Sequence, residues 1–319
     1  MRQTSFIGRL NAQLRFSEKT LLAFFAAVLV ASATLSLPGR TFAVLALLNV
    51  MLGFVIVTLS KTGPAARSRT AAAIRDWLPA ILLLLAYRET GLFIHPDPAH
   101  RLDHLFILWD KSVLHSRSVE WLLWSSSPWL QHYLELCYLL CYPLVPLGFA
   151  VLYLARPRDA ALHESRDKDT VAIPHRQPAW APETFDRFWT TVLLATLFCY
   201  GVYPLFPLTP PRVLFNDVPG PAVTPLLRHM NVWVLDRFSV QACLFPSGHA
   251  AAVTATALAV CAHRRRVGIL FCITALSVAA ATVYGRYHYL ADAVAGVLVG
   301  IVAFVVSCRI HKHSNKPCV

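Results

Sequence analysis

Charge is scarce in this chain. Of its 319 residues only 14% are Asp, Glu, Lys or Arg, while 56% are hydrophobic and the mean hydropathy is +0.52. A soluble globular domain carries about 25% charged residues, so the composition excludes that class and points to a membrane. Internal repeats and low-complexity tracts are also missing, and residues 1–319 read as one domain. The eight Cys supply no disulfide framework and no metal-ligand spacing. Six lie within or at the ends of apolar runs (Cys137, Cys141, Cys199, Cys261, Cys272, Cys308), Cys318 is near the C-terminus, and only Cys243 falls in an outward loop. The net charge of +12 raises nucleic acid as a partner, but no basic stripe is interleaved with aromatic stacking platforms, and that partner is set aside.

What the chain does have is long apolar runs. Eight are candidates to cross about 30 Å of hydrocarbon, near residues 20–37, 42–60, 77–94, 129–154, 187–206, 248–262, 267–285 and 289–308. The fold class is therefore all-α, a polytopic helical membrane bundle with 1–60 as accessory spans and 77–308 as its core. Alternating eight spans puts 19 Lys and Arg on the side of the two termini and 8 on the other, so the termini are expected in the cytoplasm. Trp residues agree with these boundaries, with Trp77, Trp180 and Trp189 at cytoplasmic ends and Trp109, Trp121, Trp124, Trp129 and Trp233 at or in outer loops. A basic start followed by "LLAFFAAVLVASA" has the form of a secretory signal, but a second apolar run follows Pro38-Gly39-Arg40, and we read an anchor. Residues 156–185 are charged and Pro-punctuated, a cytoplasmic linker. The Pro-stiffened but apolar loop 207–247 is expected to lie on the membrane surface or to cap a site.

Three polar clusters fall at the outer ends of consecutive spans: "YPLFPLTPPR" ending in Arg212, Pro246-Ser247-Gly248-His249, and "YGRYHYLADAVAG" with Arg286, His288 and Asp292. Each residue type has chemistry to offer there. A helix N-terminus at Ser247, Gly248 and His249 seats an anion, and glycine permits close approach. Arg212 and Arg286 offer guanidinium forks that match phosphate oxygens. His288 and Asp292, four apart, share a helix face, so the carboxylate can fix the tautomer and leave the other ring nitrogen to attack. His249 then remains to protonate a leaving oxygen. Charged groups near hydrocarbon mark function more often than packing.

"FPSGH" and "RYHYLAD" resemble the signature motifs of the type 2 phosphatidic acid phosphatase superfamily, over roughly residues 200–300. The resemblance implies a six-helix core, metal-free catalysis without a cofactor, and a phosphohistidine intermediate on His288, with Asp292 orienting it and His249 as general acid. Two features depart from the lipid phosphate phosphatases: Leu205 stands where their first motif has Lys, and Thr282 where their third has Arg, Arg286 being only two residues before His288. The compact "RYHY" and the "FPLTPPR" loop look more like the inositol phosphorylceramide synthase branch, whose members move a phospho-headgroup to an alcohol.

The expected substrate is a phospholipid or lipid phosphate, with a possible alcohol or sphingolipid acceptor and an outward-facing site. A phosphatase using water is the alternative, and a non-catalytic transporter or scaffold of the same fold is the rival class. Polar residues spread toward the midplane would favour that rival. They cluster at one end instead. Arg88, Glu89 and Glu135 are expected to serve in structural ion pairing. The His- and Asp-rich loop 95–104 fits no common metal spacing, and no metal is expected.

Overall fold

The computed structural model describes residues 13–35, 37–61, 69–95, 101–114, 127–155, 180–214, 225–240 and 242–314. The expectations for Trp121, Trp124 and nearly all of the 156–185 linker lie outside them. Helices dominate because hydrocarbon offers no partner to a backbone N–H or C=O, and a helix pairs them within its own segment. In chain order these are α1 (Phe16–Thr34), α2 (Gly39–Lys61), α3 (Arg69–Thr90), α4 (Arg101–Leu114), α5 (Pro128–Leu154), α6 (Trp180–Val202), α7 (Pro211–Leu214), α8 (Pro225–Phe238), α9 (Gly248–His263), α10 (Arg265–Tyr284) and α11 (Leu290–Ser314). The protein is an all-α polytopic bundle. Among the described residues the extended structure is one antiparallel pair, β1 (Pro207–Leu208) with β2 (Cys243–Leu244), which ties the loop after α6 to the entry of α9.

Among the described residues seven helices are long and apolar enough to cross a membrane: α1, α2, α3, α5, α6, α10 and α11. The eighth expected span is α9, and its 16 residues reach only about 24 Å at 1.5 Å per residue. It is nevertheless the hub of the bundle, packed against α5, α6, α10 and α11. Its Ala-rich sequence suits that place: Ala favours the helix and lets neighbours approach closely. Gly296 and Gly300 of α11 complete that approach. A methyl on Gly296 would collide with Ser247 O, and one on Gly300 would press on Ala251 O and Thr254. This is the small-residue interface by which membrane helices pack backbone to backbone.

The core packs the aromatic rings of Trp189, Phe149 and Phe188 among aliphatic side chains such as Leu193. Trp189, placed by the sequence at an interface, is fully buried and donates its indole N–H to Asp76 O at 2.8 Å. By contrast Phe54, Leu270, Leu276 and Leu298 expose large apolar surfaces outward, as suits a lipid-facing wall. At the end of the bundle away from the motifs, polar clasps hold α1 to the core. Asp186 accepts the Phe16 and Ser17 N–H groups at 3.0 and 2.9 Å, Arg75 pairs with Glu18, and Arg15 with Asp76 at 2.7 Å.

Candidate functional site

The three motifs converge through main-chain bonds. Ser247 N–H donates to Asp292 O at 3.1 Å, joining the head of α9 to the head of α11. Arg212 N–H donates to Arg286 O at 2.8 Å, joining the loop after α6 to the turn between α10 and α11. That turn is tight: Tyr287 and His288 N–H both reach Thr282 O, at 2.9 and 3.0 Å, and Arg286 has a left-handed φ of 58°. A non-glycine residue in that region is uncommon and persists where surrounding bonds over-determine it.

The side chains the sequence singled out meet here. His288 Nδ1 lies 3.3 Å from Asp292 Oδ2, and both groups are buried. Asp292 also accepts the Tyr289 N–H at 3.3 Å, which fixes the carboxylate. The His249 ring centroid is 5.7 Å from that of His288, at an interplanar angle of 64°. Tyr138 and Tyr142 of α5 flank His249, at 5.9 and 5.6 Å between centroids. Ser247 is the N-cap of α9, its hydroxyl accepting Ala250 N–H at 3.3 Å. Gly248 is backed by the Tyr203 hydroxyl so closely that any side chain would strike it. Arg212 and Arg286 are half-buried on adjoining loops. Burial, and then the nearby Arg228, lower the Arg286 guanidinium's pKa from its ordinary value.

Several neighbours of these side chains were not singled out from the sequence. On α4, Asp103 accepts the Thr209 N–H at 2.8 Å and the Tyr289 hydroxyl at 3.3 Å. Asp110 accepts the Leu290 N–H at 3.0 Å, an N-terminal cap for α11 supplied from 180 residues away. Burial raises the Asp110 carboxyl to about 6, although the Leu290 N–H opposes the shift. The spacing of Asp103, Phe106 and Asp110 puts all three on one face of α4, and Phe106 packs on Tyr289 and Phe245. The His and Asp residues at 101–104 thus include one whose carboxylate makes hydrogen bonds to the site's loops; 96–100 lie outside the described residues.

The ion pairing expected of Arg88, Glu89 and Glu135 takes a different form. Glu135 pairs with Arg228 at 3.0 Å, Glu89 accepts from Asn49 at 3.2 Å, and Arg88 donates to Arg237 O at 3.4 Å. Sequence reading missed Arg228 and Asn231 because their partner is more than 90 residues away. The apolar loop expected to cap the site includes α8, whose Val234, Leu235 and Phe238 help line a cavity of about 390 Å³. This cavity reaches His249 and Gly248 and is otherwise walled mainly by apolar and tyrosine side chains of α3, α5 and α6.

Chemically, a histidine held by a carboxylate, a second histidine facing it and two arginines on adjoining loops can attack, protonate and neutralise a phosphoryl group. The family model described as PAP2 superfamily matches residues 179–306, from the start of α6 into α11. That match takes in all three motifs and supports the superfamily. No curated protein and no solved structure matches the chain.

Proposed function

We propose that the protein is a membrane enzyme that breaks a phosphoester of a lipid through a phosphohistidine and passes the phospho-headgroup to an alcohol. The observation that carries this reading is the His288–Asp292 pair at 3.3 Å with His249 opposite, 5.7 Å between ring centroids. With its Nδ1–H directed at Asp292, His288 keeps a lone pair on Nε2. Nε2 attacks phosphorus, the bond from phosphorus to the lipid oxygen breaks, and protonated His249 gives that oxygen its proton. His249 then takes a proton from the acceptor hydroxyl, whose oxygen displaces Nε2 and frees His288. Arg212, Arg286 and the positive end of α9 at Ser247 and Gly248 offset charge on the phosphoryl oxygens as it passes through the transition state.

Two further features support the reading. The largely apolar cavity reaches His249, the residue that would give the leaving oxygen its proton, and offers room there for an apolar alcohol. The compact turn bearing Arg286 and His288 favours the transferase branch over the phosphatases, which use water as acceptor. The excess of basic residues at the opposite end supports a site on the outer face of the membrane. The test is to incubate the membrane-embedded protein with labelled phospholipids, with and without alcohol acceptors, and to separate the products. A new phospholipid made only with acceptor is expected. Free phosphate from a lipid monoester, unchanged by acceptor, would assign the phosphatase reaction instead, and no turnover of any phospholipid would sink the reading.

A further inference from the structure

A third arginine reaches the catalytic turn, and its charge is already met. Arg228 of α8 donates from Nη1 to Gly285 O at 2.8 Å, the carbonyl just before Arg286. Its guanidinium lies over the Tyr287 ring, 4.6 Å from the centroid, and Tyr287 sits between Arg286 and His288. The same Nη1 is 3.0 Å from Glu135 Oε1. Glu135 is 1% exposed, and its other oxygen accepts from Asn231 Nδ2 and from the Tyr287 hydroxyl, both at 2.7 Å. A carboxylate so buried is retained only with its charge compensated.

Packing alone does not require this arrangement. Tyr287 stacks on Tyr138 with centroids 3.7 Å apart, and Arg228 and Asn231 both belong to a helix that already packs on α5. What the pair adds is electrostatic. A guanidinium beside the turn that carries Arg286 and His288 would strengthen the attraction for every anion bound there. Glu135 cancels it.

We propose that the Glu135–Arg228 pair sets the charge of the site so that it takes a phosphodiester, which carries one negative charge, in preference to a phosphomonoester, which carries close to two at neutral pH. The proposal rests on the phosphoester reading above and narrows its substrate class. Glu135 and Arg228 act on selectivity through the field at the turn, without touching the substrate. In a Glu135→Gln variant the amide oxygen still accepts from Tyr287 and Asn231. Arg228 stays tethered by Gly285 O and the Tyr287 ring, now uncompensated. An added unit charge at the edge of a protein site favours the dianion over the monoanion by a factor on the order of ten.

The experiment compares a dialkyl and a monoalkyl phosphate of equal chain length as substrates for the membrane-embedded wild type, Glu135→Gln, Arg228→Gln and the double variant. The monoester-to-diester ratio of kcat/KM should rise about tenfold in Glu135→Gln, fall in Arg228→Gln, and return to the wild-type value in the double variant, which is neutral like the native pair. High salt should shrink the shifts. A merely structural pair would lower both substrates together in every variant. Equal ratios across the four proteins would therefore overturn the proposal. If no protein turns over either ester, the functional reading fails separately, and thermal stabilisation by the same two ligands supplies the ratio. Stabilisation that follows the net charge of the pair would uphold the proposal, and stabilisation that ignores it would refute it.

Discussion

Replacing Gly248 by Ala isolates how the head of α9 is seated. A methyl at this position would overlap the Tyr203 hydroxyl, while its next neighbours are Tyr203 Cζ at 3.4 Å and Tyr200 Cε1 at 3.6 Å, both ordinary or nearly ordinary contacts. One oxygen atom is the whole obstruction. Overpacking of this kind costs about 1–3 kcal/mol of stability, and because His249 is the adjacent residue, the displacement should also lower kcat/KM, read separately from the melt. Removing the oxygen alone, with Tyr203→Phe, keeps the ring in place and should cost less than about 1.5 kcal/mol. In the double variant the new methyl occupies the space the oxygen has left, so activity should recover to near that of Tyr203→Phe. The assay is turnover of a nitrophenyl phosphodiester by the reconstituted protein, with a thermal melt of each variant to complete the double-mutant cycle. A coupling of at least 1 kcal/mol is expected between the two positions. Additive losses would show that Tyr203 is not what excludes a side chain at 248.

Other outcomes follow from the same geometry. His288→Ala should abolish turnover of all substrates alike, whereas His249→Ala should spare an activated nitrophenyl ester relative to an alkyl lipid ester by about 10²- to 10⁴-fold, since a nitrophenolate hardly needs the proton. Equal loss on both esters would reverse the division of roles. Vanadate should inhibit, because it takes up the geometry of phosphoryl transfer that the arginines and the α9 N-terminus would stabilise. Activity lost in chelator and restored by a divalent ion would contradict a reaction run on these side chains alone. Asp110 predicts a pH effect on stability: its folded carboxyl titrates at about 6 against an ordinary 3.8, so between those values the folded protein holds a proton that the unfolded chain has released. Its contribution favours folding at low pH and is lost as pH rises through about 6. Asp110→Asn keeps an acceptor for Leu290 N–H and should be more stable than wild type at pH 7.5 by about 1 kcal/mol after allowance for solvent screening. The gap should close in melts near pH 4.

The convergence of His249, His288 and Asp292 was legible in the sequence because it depends on short spacings and on helix ends, which a linear string preserves. The helices were legible for a similar reason: membrane-length apolar runs leave the backbone few alternatives. Glu135 with Arg228, and Asp110 with the head of α11, were not legible. Each joins residues from different helices, and the identity of the partner depends on packing that no local pattern encodes. Asp103 and Asp110 did leave a trace in their seven-residue spacing around Phe106, which puts two carboxylates and an aromatic ring on one helical face. The central place of the short α9 was not legible, because hydropathy does not distinguish a buried hub from a lipid-facing helix. The glycines at 296 and 300 were the mark of its close partner.

Those two glycines bear on how the protein would respond to its lipid surroundings. Since α11 meets α9 almost backbone to backbone, and Ser247 is bonded to Asp292 across the same seam, the helices that carry His249 and Asp292 move as one stiff plank. A change in bilayer thickness or lateral pressure tilts helices, and a loosely packed pair would convert tilt into a wider gap between the two imidazoles. Here the plank tilts whole, and the gap travels with it. Lipid composition should then alter how readily substrate enters from the bilayer while leaving the rate of the chemical step nearly constant, and the tolerance would be lost on placing a bulky side chain at position 296.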